Sequence, residues 1–78
     1  MIFGYDSHIL NEYGLKQMRE ISLAASSVTL RELASFLMQA ADEAERAVGN
    51  QWHRHVPNAI REGLKCDFIV LKENTEYE

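Results

Sequence analysis

Apolar side chains recur through Thr29–Gly49 at steps of three and four residues: Leu30, Leu33, Leu37, Ala40, Ala41, Ala44 and Val48, with Ala34 and Phe36 widening the stripe. That spacing is the period of a helix with one buried face. Arg31, Gln39, Asp42, Glu43, Glu45 and Arg46 fall largely on the other side. Thr29 reads as the N-cap, Glu32 completes a capping box, and Val28 with Leu33 is placed to form a hydrophobic staple. Gly49 offers the positive φ that closes such a helix. At about 1.5 Å per residue the rod is roughly 28 Å long.

On either side the pattern shortens. Ile2, Phe3 and Tyr5 suit a strand over Met1–Tyr5, with Gly4 as a bend or bulge. Asp6–Tyr13 mixes turn formers with Ile9 and Leu10 and reads as a loop with some buried contacts. Gly14–Ala25 fits two periods. Leu15, Met18 and Ile21 with Ser22 suit a helix; Arg19, Ile21, Leu23 and Ala25 alternating with Met18, Glu20, Ser22 and Ala24 suit a strand. A helix here would run almost into the one at Thr29, and Ser26–Ser27 suits a strand-to-helix turn, so the strand is adopted. Trp52, Arg54 and Val56 alternate with His53 and His55, again the period of a strand. Pro57 ends that strand or places it at an edge. Asn58–Lys65 reads as a loop or a single helical turn broken by Gly63, and Cys66–Leu71 as a central strand. Residues 73–78 read as a frayed acidic tail.

The order β, β, α, β, β predicts a single α+β domain over residues 1–78. It would be a two-layer fold, with a small, mainly antiparallel sheet and the long helix packed across one face. A chain this short builds a core worth only ~3–5 kcal/mol without staples. A homodimer is therefore expected, through the far face of the sheet if that face is apolar.

Composition narrows the function. Cys66 is the only cysteine, which excludes an intrachain disulfide and a four-cysteine zinc site and suits a reducing compartment. Net charge is −4 with a pI near 5.3, and no basic cluster appears. That argues against nucleic acid and against an anionic membrane surface as partners. No run of about 18 apolar residues is present, and MIFGYDSHIL lacks the basic flank and long apolar stretch of a secretory signal. A cytoplasmic location is expected. Neither a Gly-rich phosphate loop, G-x-S-x-G, H-E-x-x-H nor a spaced cysteine set occurs. No enzyme activity, cofactor or metal is expected.

His53 and His55 are the most suggestive pair. Two apart on a strand, they point the same way, and paired imidazoles suit a divalent metal or acid–base work. A metal needs a third ligand, and Asp6, His8, Cys66 and Asp67 stand at no fixed spacing to the pair. The plainer reading is the exposed face of an amphipathic strand, with Trp52 and Val56 turned inward. Cys66 reads as a small buried apolar residue. Trp52 reads as core, or else as an interface anchor. Asp42, Glu43 and Glu45 form a solvated face, or present negative charge to a basic partner. His53, His55, Asp42, Glu43, Glu45 and Trp52 are thus the candidate partner-binding residues.

Six stretches in order carry a resemblance: F-G-Y (Phe3–Tyr5), E-Y-G-L (Glu12–Leu15), M-R-E-I-S-L (Met18–Leu23), T-L-R-E-L-A-S-F-L-M-Q-A-A-D-E-A-E (Thr29–Glu45), H-R-H (His53–His55) and D-F-I-V (Asp67–Val70). Together they resemble the immunity protein 32 family, small proteins predicted from gene neighbourhoods to protect bacteria from their own polymorphic toxins. The resemblance covers about Ile2–Leu71, and H-R-H followed by D-F-I-V is its more telling part. It implies a small α+β fold, no enzyme activity and a cognate protein toxin as partner, and it gives no role to any single residue. Pro57–Lys65 and the tail are where this sequence is expected to depart. Two other readings stand beside it: a small metal-binding or acid–base enzyme using His53 and His55, and a self-associating domain.

Overall fold

The computed structural model describes residues 1–49 and 51–73. The expected acidic tail falls almost wholly on residues 74–78, outside them. The chain runs β1 (Ile2–Leu10), β2 (Lys16–Leu23), α1 (Ser27–Arg46), β3 (His53–His55), α2 (Asn58–Leu64) and β4 (Ile69–Leu71). It is an α+β domain in which the ββαββ order holds, with α2 added between the last two strands. The strands pair as two separate antiparallel ribbons, β1 with β2 and β3 with β4.

β1 is longer than its pattern predicts, because the turn formers of Asp6–Tyr13 do not all make a loop. Asp6 Oδ1 accepts a hydrogen bond from His8 N at 2.6 Å, and His8 takes a positive φ of 67°. Together they build a bulge into a strand that continues to Leu10. The turn comes later. Asn11 Oδ1 accepts from the backbone N–H of Tyr13 and of Leu15, each at 2.9 Å, and Gly14 supplies φ 80°.

α1 starts earlier than the capping-box reading places it. Ser26 is the N-cap: its Oγ accepts from Thr29 N and donates to Thr29 Oγ1, both at 3.1 Å. Thr29 is inside the helix and buried, and Glu32 is exposed. The helix ends at Arg46. Ala47 follows as C-cap, its N–H reaching the carbonyls of Glu43 and Ala44, and Gly49 at φ 86° turns the chain beyond it. Lys72 Nζ donates to Ala47 O at 2.8 Å, a cation placed on the exposed carbonyl end of α1.

Asn58–Leu64 is a full short helix rather than a loop or one turn, closed by Lys65 in the left-handed conformation at φ 63°. Gly63 does not break it, because the absent side chain makes room for Thr29 of α1. Cys66–Leu71 is likewise not a central strand: among the described residues only Ile69–Leu71 pairs, and only with β3.

The core is Leu33, Phe36 and Ala40 from α1, Val56 after β3, and Ile60 and Leu64 from α2. Ile2, Ala25, Trp52, Cys66, Phe68 and Val70 pack around it, half-buried. The first hairpin therefore touches the core mainly through Ile2, and every residue of β2 is exposed. Among the described residues no helix is long and apolar enough to cross a membrane.

Candidate functional site

The β3–β4 register explains where the two histidines go. His53 pairs with Leu71, Arg54 with Val70 and His55 with Ile69. Directly opposed residues share a face, so His53, His55, Ile69 and Leu71 form one face and Arg54 and Val70 the other. The second face meets the body: Val70 packs on the core, and Arg54 Nη1 donates to both carboxylate oxygens of Glu43 on α1, at 2.7 and 2.9 Å. The histidine face is open, and its four residues are all exposed.

As the spacing predicts, the two rings lie side by side, with centroids 5.7 Å apart and planes at 74°. His53 Nδ1 sits 3.3 Å from the carbonyl oxygen of Gln51, and His55 Nδ1 3.0 Å from Asp67 Oδ2. Neither oxygen carries a hydrogen, so in each contact Nδ1 is the nitrogen that donates. Asp67 also accepts from Phe68 N at 2.9 Å and lies 4.0 Å from Arg61 Nε. The His55 hydrogen bond holds the Asp67 carboxyl below the usual carboxylate range, against a smaller cost of burial, with help from the Phe68 N–H and the Arg61 charge.

Beside His53 the surface opens into a recess of about 390 Å³, lined by Tyr13, Leu15, Gln51, His53, Ile69 and Leu71. Its walls come from two places far apart in sequence, the tip of the β1–β2 hairpin and the outer face of β3–β4. Most of its lining is apolar, and Tyr13, Gln51 and His53 are the lining residues that carry polar groups.

Of the four residues weighed as a third ligand, only Asp67 reaches the histidine pair. Asp6 lies on the first hairpin, within 3.7 Å of His8 and 3.3 Å of Lys16. Cys66 is half-buried against the core. Among the described residues no group of three or more His, Cys, Asp or Glu side chains is placed to hold a metal ion. Asp42 and Glu45 stand exposed on α1, whereas Glu43 is tied to Arg54. Trp52 is half-buried on the rim of the core, and its carbonyl accepts from Lys72 N at 3.4 Å.

Tyr13, Leu15, Ile69 and Leu71 were not among the sequence candidates. For Ile69 and Leu71 a signal exists, since strict alternation with Val70 puts them on one face. For Tyr13 and Leu15 none does, because only the fold brings the hairpin tip to β4. No protein-family model, no curated protein and no solved structure matches this chain.

Proposed function

We propose that this chain is a non-enzymatic protein-binding module that neutralises a protein toxin by direct contact, using the His53/His55 face. The observation that carries the reading is the recess beside His53, framed by Tyr13, Leu15, Ile69 and Leu71. An apolar pocket with a few polar groups at its wall is what a buried aromatic or aliphatic anchor of a partner requires. Occlusion of a toxin needs a firm scaffold and one complementary surface, with no catalytic group of its own. The net charge of −4, with Asp42 and Glu45 exposed on α1, favours a basic partner by steering its approach. The toxin as partner class rests on the resemblance to the immunity protein 32 family.

The test is a titration of the purified chain with each protein encoded beside its gene. The reading predicts a one-to-one complex that Ile69→Asp weakens at least ~30-fold, by charging the wall of a central pocket. Circular dichroism of the variant, unchanged from the parent, separates lost contact from lost fold. Undiminished binding by a folded Ile69→Asp contradicts the assignment of the surface.

One observation favours a second reading, an acid–base or metal site. The His55–Asp67 pair at 3.0 Å orients an imidazole as a general base requires. A stoichiometric bound metal lost on His53→Ala would support that reading over the binding module.

A further inference from the structure

We infer that the β1–β2 hairpin is a hinged arm, which opens and closes without the rest of the fold and carries one wall of the recess beside His53.

Two units are told apart by what holds each together. The buried core draws its side chains from α1, α2 and Val56 alone. Links between elements tighten that body further. Arg54 to Glu43 joins β3 to α1, Lys72 Nζ to Ala47 O joins the chain after β4 to the end of α1, and Val56 N donates to Phe68 O at 3.0 Å across α2. The hairpin has no such links. Among the described residues, every hydrogen bond and ion pair made by residues 1–23 closes within residues 1–24. Asn11 holds the turn, Ser7 Oγ donates to Gln17 O at 2.9 Å, and Lys16 meets Asp6 at 3.3 Å. These bonds keep the shape of the hairpin wherever it stands against the body.

Its hold on the body is narrow. Among the described residues, Ile2 is the one member of β1 and β2 that packs against the core. β2 is exposed along its whole length, and Tyr13 and Leu15 at the tip line the recess while staying 63% and 56% exposed. The free energy of opening a segment follows the apolar contact it gives up. Release of the hairpin gives up Ile2 and the light contact of the tip, whereas release of α1 or α2 gives up the core. The pivot is narrow as well. Ala25 packs on the core and Ser26 caps α1, so both belong to the body. Ala24, whose N–H donates to Met1 O at 2.8 Å, is the last residue of the arm. Rotation about the backbone between Ala24 and Ala25 swings the hairpin as one piece, on a hinge of element-terminal residues.

The recess gives the motion a consequence. Tyr13 and Leu15 come from the arm, and Gln51, His53, Ile69 and Leu71 from the body. With the arm closed the recess has both walls; with it open, only the body's remains. A partner side chain seated between the walls binds the closed arm and shifts the population toward it. That last step rests on the proposed function; the independence of the arm does not.

The experiment is hydrogen exchange of the full chain, without any partner, on the parent and on Asn11→Ala. This substitution removes the acceptor of two turn hydrogen bonds and lies outside the core. In the parent, the slowest amides of β1 and β2 should be protected, yet should exchange at least ~10-fold faster than the slowest of α1 after correction for intrinsic rates. In Asn11→Ala the hairpin amides should speed up at least ~5-fold, while those of α1 and α2 stay within about twofold. A smaller difference in the parent overturns the proposal. So does a parent hairpin with no protection at all, since an arm that never forms carries no wall. Acceleration of α1 as large as that of β2 in Asn11→Ala overturns it too, because the chain then opens as one cooperative unit. None of these outcomes touches the toxin reading, since the sample holds no partner.

Discussion

Thr29 and Gly63 are in mutual contact where α1 meets α2, and a Cβ on Gly63 would collide with Thr29 Oγ1 and Cγ2. The contact fixes how closely the two helices approach, and so where Leu64 and Ile60 meet Leu33 and Phe36. In an ordinary helix, alanine in place of glycine stabilises by about 1 kcal/mol. Here Gly63→Ala should instead destabilise by ~1–3 kcal/mol, through overpacking. Thr29→Ala removes the nearest atoms, so the double variant should lose less than the two singles added. Urea denaturation of the four proteins reads both effects, and a more stable Gly63→Ala would contradict the account.

Capping of α1 distinguishes the structure from the pattern that suggested Thr29. With Ser26 as the cap, Ser26→Ala should cost about 1 kcal/mol. Glu32→Ala should change stability by less than ~0.5 kcal/mol, since Glu32 is an exposed side chain away from the cap. Thermal melts of the two variants give the comparison. An equal loss from both would restore the capping box.

Leu64 is fully buried between α1 and α2. Leu64→Ala should cost ~2–5 kcal/mol, comparable with the whole stability expected of so small a core. Native circular dichroism should therefore be lost or sharply weakened at 25 °C, while Leu71→Ala, on the open face, should retain it. A cooperative, near-native melt for Leu64→Ala would contradict the core assigned here.

The His55–Asp67 pair gives a pH dependence with a definite sign. The Asp67 carboxyl is held below its ordinary value, first by the His55 hydrogen bond. A carboxylate favoured by the fold contributes stability above its unfolded-state pKa, near 4. That contribution is lost as pH falls through the lower folded value. Asp67→Asn should thus narrow the gap between variant and parent below about pH 4 and leave it widest near neutrality. Urea midpoints from pH 2 to 7 test this, and a gap that widens in acid would reverse the sign.

Much of this was written in the sequence wherever the pattern is local. The α1 stripe declares a helix because its period repeats over five turns. β2 declares a strand because Ile21 and Leu23 alternate with Glu20 and Ser22. His53 and His55 share a face for the same reason. What escaped depends on distant partners. Asp6 and His8 look like a loop until β2 is present to make their turn a bulge. Gly63 looks like a helix breaker until Thr29 is seen filling its place. Nothing local says that four strands form two ribbons rather than one sheet, or that Tyr13 and Leu15 come to rest beside Ile69 and Leu71. The recess at His53 is therefore a product of the fold that no spacing announces.

Protection in living cells tests the proposed function most directly. Among the proteins encoded beside this gene, one should arrest bacterial growth when expressed alone, allow growth when the parent chain is co-expressed, and arrest it again when a folded Ile69→Asp chain replaces the parent. Growth sustained equally by both, or arrested with both, would contradict toxin neutralisation through the His53/His55 face.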